Sequence, residues 1–224
     1  ATKVTKVKTT EYPSSVNRPA NSVLQNKKLL DNFNYKMEDW KVAIRKYLLE
    51  ENKMKRKVLV TGANGYVGRH VVKALLDKGC EVIASDFKFD GVDERAQRNT
   101  TPIFSDEENL YEKLGSPDVV VHLAWRNGFV HNADTHITDL PNHYNFIKKM
   151  VDAKLPQLVV MGTMHEVGYW EGAINGDTPT NPTSMYGIAK NTLREAAYLL
   201  TKGSKTQLQW LRAYYIMGDD LKNN

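Results

Sequence analysis

Tyr186 and Lys190 are the two residues whose types and spacing are best suited to acid–base chemistry. A phenol with a pKa of about 10 is a poor base at neutral pH, and a nearby ammonium group stabilises its ionised form. Because residues four apart share one face of a helix, the pair would act together on the helix predicted over about Ser184 to Leu200. A surface pair without chemistry is the alternative, since this spacing is common. Thr163 lies 23 residues before Tyr186, at the end of an apolar run, and its hydroxyl could hold a substrate oxygen in line.

The stretch TGANGYVG places three glycines, Gly62, Gly65 and Gly68, between a predicted strand and a predicted helix. Glycines there allow a tight turn, a close approach of the backbone to a pyrophosphate, and close packing of the helix on the strand. Asp86 follows Gly68 by 18 residues, where its carboxylate would accept hydrogen bonds from the adenosine ribose and repel a 2′-phosphate. These residues predict dinucleotide binding, with NAD favoured over NADP. The alternative is that Asp86 merely caps a loop.

Strands and helices that alternate from residue 57 onward must position these groups. We predict strands at 57–60, 81–85, 102–104, 118–125, 157–163 and 207–215, helices at 66–78, 107–114, 139–153 and 184–200, and a charged loop at 87–100. Such alternation is typical of an α/β fold, here a Rossmann-like, doubly wound parallel sheet with helices on both faces. The carboxyl ends of its strands would bring Thr163, Tyr186 and Lys190 to the ligand crevice.

The composition argues against several other classes of function. The net charge of +5 is scattered, apart from Lys53, Lys55, Arg56 and Lys57, so nucleic-acid binding is not expected. No segment approaches the roughly 20 apolar residues of a membrane span, so no membrane partner is expected either. The single cysteine, Cys80, supports no disulfide framework and fits a reducing compartment, so a cytoplasmic protein is expected. No metal site is predicted.

Residues 55 to about 220 resemble the extended short-chain dehydrogenase/reductase family, in its NAD-dependent epimerase/dehydratase branch. The resemblance rests on the order and spacing of the glycine turn, Asp86, HLAW (122–125), GTMHEVG (162–168), YGIAK (186–190) and LRAYYIMG (211–218). It implies that Tyr186 is the acid/base, that Lys190 contacts the ribose and activates the phenol, and that Thr163 binds the reacting hydroxyl or carbonyl. The cofactor residues that it implies are Gly62, Asn64, Gly65, Tyr66, Val67, Gly68, Asp86, Leu123, Ala124, Tyr186 and Lys190.

The activity implied by this resemblance is hydride transfer between NAD and a sugar carbon, usually on a nucleotide-linked sugar. Two departures from the family pattern fall on the predicted substrate residues Trp125, Met164 and His165. Trp125 stands where a small residue is usual, so it either reshapes the pocket or is a core tryptophan. Met164 and His165 replace the Asp-Glu pair that performs elimination in sugar dehydratases, with Glu166 one position late, so epimerisation or carbonyl reduction is expected. His165 could carry a proton or hydrogen-bond within its loop.

Residues 1–53 form a separate predicted segment ahead of an NAD-binding domain at 54–224. Residues 4–50 resemble the C-terminal end of dTDP-4-dehydrorhamnose reductase, and the family's substrate lobe beyond RAYYIMG looks truncated. The N-terminal piece could fold back as part of that lobe, or the chain could be a fragment or fusion. If the chain is a fragment or fusion, the alternative function is that of a catalytically incomplete NAD-binding module. Such a module would sense NAD or need a partner chain. A homodimer could form through the helices near 139–153 and 184–200.

Overall fold

The computed structural model of the protein describes residues 31–34, 36, 39, 41–42 and 56–216. The chain divides into two compact units, Ala1–Lys53 and Met54–Asn224. In the first unit, residues 31–33 and 41–42 are helical. Most of the segment that resembles dTDP-4-dehydrorhamnose reductase lies outside the described residues, so that resemblance stays a prediction.

Short strands and helices alternate through the second unit. The strands are β1 Lys57–Thr61, β2 Glu81–Ser85, β3 Gln97–Asn99, β4 Val119–His122, β5 Gln157–Thr163 and β6 Gln207–Ala213. The helices are α1 Tyr66–Asp77, α2 Leu110–Lys113, α3 Thr135–Thr138, α4 Leu140–Asp152 and α5 Met185–Thr201, and a 3₁₀ helix spans Met164–Glu166. Among the residues that the structure describes, no helix has the length and apolar character needed to cross a membrane.

These strands form one parallel sheet in the order β3-β2-β1-β4-β5-β6, which confirms the predicted Rossmann-like, doubly wound fold. Strand β1 pairs with β2 on one side and with β4 on the other, so that Val58 lies opposite both Val82 and Val119. The strand order reverses between β1 and β4. Open α/β sheets bind ligands at such a reversal, outside the carboxyl ends of the strands. The crevice is therefore expected just after Thr61 and His122.

The central strand β1 is covered on both faces by apolar side chains. Leu59 packs in one layer with Phe146 of α4, whereas Val58 and Val60 pack in the other with Val72 of α1. Because successive strand residues point to opposite faces, a strand covered on both sides must be apolar throughout. All five residues are at most 3% exposed. This double burial explains why the central strands are short, continuous apolar runs in the sequence.

The structure corrects several predicted elements. Strand β3 lies within residues 87–100, where the sequence predicts a loop, and residues 102–104 form no strand. Helix α2 has four residues instead of the predicted 107–114, and β4 ends at His122 instead of Trp125. Helix α3 is not predicted at all. Strand β3 has the polar sequence QRN and pairs only with β2, so it lacks the buried apolar side chains that a sequence pattern could reveal.

Candidate active site

A cleft of about 660 Å³ opens at the carboxyl ends of β1 and β4. The predicted residues that line it are Gly62, Asn64, Gly65, Asp86, Leu123, Ala124 and Trp125. The cleft is also lined by Phe87, Phe104, Arg126, Asp139, Asn142 and His143, which the sequence does not single out. The predicted cofactor residues Tyr66, Val67 and Gly68 form the first turn of α1 and do not line the cleft. The loops after β1 and β4 thus come together where the fold binds ligands.

The glycine turn has the shape that a pyrophosphate site requires. Gly62 has a φ of +67°, which other residues rarely adopt, and a Cβ there would lie 2.8 Å from the backbone nitrogen of Ala124. A Cβ on Gly68 would lie 2.1 Å from the carbonyl oxygen of Gly62. Gly65 is the N-cap of α1, so the first amide groups of that helix have no side-chain cap. These backbone donors and the helix dipole fit a dinucleotide phosphate.

Asp86 both shapes this turn and lines the cleft. Its Oδ2 accepts a hydrogen bond from the backbone N–H of Asn64 at 2.9 Å, and its Oδ1 accepts one from the N–H of Phe87 at 2.7 Å. The side chain of Asn64 in turn accepts from the N–H of Gly91 at 2.7 Å. Each carboxylate oxygen keeps a second lone pair, so Asp86 can hold the loop and also accept from ribose hydroxyls. The two alternatives drawn from the sequence are therefore compatible.

Thr163 and Tyr186 come from the end of β5 and the start of α5. Thr163 ends that strand, and Tyr186 lies in the first turn of α5, where Ser184 accepts a hydrogen bond from the N–H of Gly187. The backbone N–H of Tyr186 donates to the carbonyl of His131 at 2.8 Å, which anchors the start of the helix. Burial raises the pKa of Tyr186, and the hydrogen bond with the Thr163 side chain opposes that rise. The side chain of Thr163 therefore influences the titration of the predicted phenol.

Lys190 lies one turn further along α5, and its amine is engaged by the protein. The residue is 3% exposed, and its Nζ donates to the carbonyl of Met161 at 2.7 Å. The amine also lies 4.0 Å from the centroid of the Trp125 ring. Burial lowers the pKa of Lys190 to about 7, and the negative charge of Glu166 opposes this shift. Lys190 and Tyr186 do not line the cleft; Trp125 lines it and packs against both.

Two histidines hold Trp125 in the wall of the cleft. Its ring stacks on that of His143, with a centroid distance of 4.3 Å and an interplanar angle of 21°. Its Nε1–H donates to Nδ1 of His136 at 3.0 Å, and Nε2 of His136 lies 2.9 Å from the carbonyl oxygen of Val130. Since an indole N–H can only donate, His136 must carry its proton on Nε2. Trp125 is half-buried against the core and also lines the cleft, so its position fits both alternatives that the sequence leaves open.

Met164 and His165 belong to the 3₁₀ helix that follows Thr163. The backbone N–H of His165 donates to Oγ1 of Thr163 at 3.3 Å, so this loop is tied to the threonine hydroxyl. Ring centroids of His131 and Tyr186 lie 4.2 and 5.7 Å from that of His165. Burial lowers the pKa of His165, and the neighbouring His131 adds to the effect. His165 therefore contacts Tyr186 while its backbone bonds within the loop, and its use as a proton carrier stays a prediction.

Glu166, considered above only as a displaced acid, has a structural role. Its side chain is fully buried, and its Oε1 accepts from the backbone N–H of Thr163 at 2.8 Å, which completes a capping box. The carboxylate also accepts from Nε1 of Trp210 at 3.0 Å and from Nε of Arg212 at 3.2 Å. Arg194 of α5 lies 3.7 Å away. The sequence carries the signal for this role, because a threonine followed three residues later by a glutamate is the capping-box pattern.

A row of three side chains leads to the cleft and is not predicted from the sequence. Oγ1 of Thr61 lies 2.7 Å from Nδ1 of His122, and Nε2 of His122 lies 2.9 Å from Nδ1 of His143. All three residues are at most 2% exposed. The two histidines are 21 residues apart in the chain, so no local pattern could reveal their contact. Arg126 and Asp139, which form an ion pair, are a second such case among the cleft residues.

Sequence comparison relates the second unit to proteins of known family. Residues 58–223 match the NAD dependent epimerase/dehydratase family. The chain is 41% identical over 174 residues to the dTDP-6-deoxy-L-talose 4-dehydrogenase (NAD(+)) of Aggregatibacter actinomycetemcomitans, which covers 75% of this chain and 64% of that protein. It is 25% identical over 175 residues to the UDP-glucose 4-epimerase of Lactobacillus helveticus, which covers 72% of this chain and 52% of that protein. The chain thus spans less than two thirds of the length of these relatives.

Solved structures share the fold of the second unit. A crystal structure of UDP-glucose 4-epimerase with UDP-glucose from Thermotoga maritima has a TM-score of 0.60 at 23% identity, and the match covers 70% of this chain and 54% of that chain. The UDP-glucose 4-epimerase of Thermus thermophilus, solved in complex with NAD, has a TM-score of 0.59 at 21% identity, with the same coverage of 70% and 54%. At these identities the likeness is one of fold.

Proposed function

Because the chain belongs to the NAD dependent epimerase/dehydratase family, we propose that it transfers hydride between NAD and a carbon of a nucleotide-linked sugar. The observation that carries this proposal is that Tyr186 and Lys190 both pack against Trp125, which lines the same cleft as the glycine turn. An alcohol and a carbonyl interconvert when a hydride and a proton are moved. Bound NAD supplies the hydride acceptor or donor, and Tyr186 supplies the group that moves the proton.

The chain's own residues fit this cofactor. Gly62 and Gly65 would leave room for the pyrophosphate to approach the backbone, and the uncapped first turn of α1 would offer its N–H groups. Asp86 would accept hydrogen bonds from the adenosine ribose. A carboxylate at this position repels a 2′-phosphate, so we propose NAD as the cofactor in preference to NADP.

Tyr186 would move the proton at the reacting oxygen of the sugar. The Thr163 hydroxyl, which opposes the rise in the pKa of Tyr186, would hold that oxygen in line. Because burial raises the pKa of the phenol, its ionisation needs a nearby positive charge. Lys190 is placed one helical turn away to provide it. A bound anionic dinucleotide would favour the charged form of this lysine, whose pKa is otherwise about 7.

We favour net oxidation or reduction of the sugar over epimerisation. The relative named as a 4-dehydrogenase is 41% identical to this chain, whereas two of the named epimerases are 25% and 26% identical. Epimerisation would use the same hydride step twice, with the hydride returned to the opposite face of the carbon, so both reactions need the same residues. Dehydration is not proposed, because Met164 and His165 stand where elimination needs a pair of carboxylic acids.

The variant Tyr186→Phe tests this proposal. It keeps the ring but removes the phenolic proton, so turnover of dTDP-6-deoxy-L-talose with NAD⁺ should fall by about 10²- to 10⁴-fold, the usual contribution of acid–base catalysis. Its NADH affinity should change little, because Tyr186 does not line the cleft. The matched control is Tyr169→Phe, at an exposed phenol that bonds to Glu171, and it should keep wild-type turnover. Full activity of Tyr186→Phe would remove that residue from the mechanism.

A catalytically silent NAD-binding module is the second candidate function. The observation that favours it is the position of the Lys190 amine, which bonds to Met161 and packs on Trp125 instead of lining the cleft. NADH binding without turnover of dTDP-6-deoxy-L-talose or UDP-glucose would support this candidate, and steady-state conversion of either sugar would eliminate it.

The cytoplasmic location and the pairing into a homodimer stay predictions.

A further inference from the structure

The backbone groups around Thr61 favour one direction for the hydrogen bonds of Thr61, His122 and His143. A hydroxyl group has one proton and two lone pairs. Two backbone N–H groups face the lone pairs of Thr61 Oγ1: that of Ala124 donates to it at 3.3 Å, and that of Leu123, at 3.2 Å, is shared with the carbonyl oxygen of Thr61. This arrangement favours donation of the hydroxyl proton to Nδ1 of His122, 2.7 Å away.

The same direction continues through the next imidazole. A neutral imidazole has one N–H group and one bare nitrogen. Since Nδ1 of His122 accepts from Thr61, its proton is on Nε2, and this N–H donates to Nδ1 of His143 at 2.9 Å. His143 must then carry its own proton on Nε2. Thr61 thus determines the tautomer of a residue on another element of the fold.

Both imidazoles are neutral near physiological pH. Burial lowers the pKa of His143 to about 3, and the positive charge of Lys190 adds to the effect. Burial also lowers the pKa of His122 well below its usual range, with smaller contributions from His143 and Lys190. The Nε2–H group of His143 is therefore an uncharged donor that keeps the same form between mildly acidic and alkaline pH.

This donor is fixed in place at the cleft. His143 lines the cleft although it is only 2% exposed. Trp125 stacks on its ring at 4.3 Å and Phe104 meets it edge-on at 4.7 Å, so the imidazole cannot turn away. Within the described part of the chain, Nε2 of His143 has no hydrogen-bond partner. The atom is nevertheless accessible to solvent. A donor without a partner on a residue that lines a cleft calls for an acceptor on a ligand.

We propose that His143 is a binding residue whose Nε2–H donates a hydrogen bond to an oxygen of the dinucleotide, and that Thr61 and His122 are positioning residues that hold it in this tautomer. The inference rests on the proposed function, because it takes the cleft to be the dinucleotide site. The glycine turn and Asp86 line the same cleft as His143, whereas Thr163 and Tyr186 do not. The acceptor is therefore assigned to the dinucleotide and not to the sugar.

The NADH affinity of the full chain, measured by fluorescence titration, tests the contact. His143→Phe keeps a flat ring against Trp125 but removes the donor, and it should weaken NADH binding about tenfold. His143→Gln offers a neutral N–H donor and should bind within about threefold of the wild type. Asn145→Ala, at an exposed position of α4, is the control and should bind like the wild type.

Thr61→Val and Thr61→Ser test the positioning role through the tautomer itself. Nuclear magnetic resonance of nitrogen-15-labelled histidine reports which ring nitrogen carries the proton. The wild type and Thr61→Ser should show His122 and His143 with the proton on Nε2, and NADH should shift the Nε2 resonance of His143. Thr61→Val lacks the O–H group that sets the direction, so both tautomers should be populated and NADH binding should weaken. A merely structural role for Thr61 would leave the tautomers unchanged.

The outcomes separate the inference from the proposed function. A proton on Nδ1 of His143 in the wild type would overturn the inference, and so would NADH binding that neither shifts the His143 resonances nor depends on His143. Both results would leave the proposed function standing. A shift caused by dTDP-6-deoxy-L-talose but not by NADH would assign the donor to the sugar and also overturn the inference. A wild-type chain that binds no NADH at all would refute both proposals.

Discussion

At the scale of single residues, Lys190 links the proposed chemistry to the stability of the fold. An ammonium group is needed near Tyr186, yet burial lowers the pKa of Lys190 to about 7. In place of water, the amine has the carbonyl of Met161 and the face of the Trp125 ring as its contacts. The folded protein therefore holds this lysine near its titration point at neutral pH, whereas the unfolded chain keeps it charged up to a pH of about 10.

This difference predicts that stability depends on pH. Because the folded pKa of about 7 is below the unfolded one, only the unfolded state keeps the proton above pH 7, so the free energy of unfolding should rise with pH toward about pH 10. The expected slope from this group is about 1.4 kcal/mol per pH unit. Lys190→Met should lack this contribution, and urea unfolding between about pH 7 and pH 9 measures it. The control Lys73→Met, at an exposed lysine, should keep the wild-type slope. Parallel curves for the wild type and Lys190→Met would contradict the lowered pKa.

At the scale of elements, the glycine turn sets how closely α1 approaches β1. Gly68 lies in the first turn of α1, and a Cβ on it would lie 2.1 Å from the carbonyl oxygen of Gly62 and 2.9 Å from the backbone of Ala63. The helix could accept a larger residue only by moving away from the strand. That movement would also displace Gly62 and Gly65, which line the cleft.

Gly68→Ala should therefore lower both stability and cofactor affinity. Overpacking of this kind costs about 1–3 kcal/mol in the free energy of unfolding. Thermal unfolding and NADH titration of the variant measure the two effects. Gly128→Ala is the matched control, because nothing lies within 4 Å of a Cβ at that position, and it should stay close to the wild type. A melting temperature for Gly68→Ala equal to that of the control would show that the turn tolerates a wider spacing.

The elements that the sequence could predict are those with a strong local pattern. The apolar runs that became β4 and β5 and the glycine turn before α1 are confirmed, because burial on both faces requires continuous apolar residues. Strand β3 and the four-residue helix α3 could not be predicted, since each is too short and too polar to show a period. The 3₁₀ helix after Thr163 has a local sequence signal, because Thr163 and Glu166 have the spacing of a capping box.

In the candidate site, too, the residues that could be predicted from the sequence are those that belong to a local pattern. The residue pair Tyr186 and Lys190 has a meaningful spacing within one helix, and Thr163 ends a recognisable strand, so local pattern was enough to select them. His143 could not be selected, because its contacts with His122 and Trp125 exist only once α4 is packed beside the end of β4.

At the scale of the whole molecule, the cleft at the reversal of the strand order predicts that cofactor binding stabilises the fold. A ligand that binds only the folded state at 100 times its Kd raises the free energy of unfolding by about 2.7 kcal/mol. NADH should therefore raise the melting temperature, and NADPH at equal concentration should raise it less, because the Asp86 carboxylate opposes a 2′-phosphate. Asp86→Asn should reduce the difference between the melting-temperature shifts caused by NADH and NADPH. Asp90→Asn, at an exposed position, should leave that difference unchanged. A larger shift with NADPH would refute the role assigned to Asp86.

The buried carboxylate of Glu166 serves the backbone of Thr163, the indole of Trp210 and the guanidinium of Arg212 at once. Substitutions at positions that share one partner are not additive, so a change that is harmless alone can become damaging once its counterpart has drifted. The threonine loop is therefore coupled to strand β6, whose nearest member of this group, Trp210, lies 44 residues beyond Glu166 along the chain. A redesign of residues 163–166 for a new sugar must therefore also choose the residues at positions 210 and 212 of β6, because both contact Glu166.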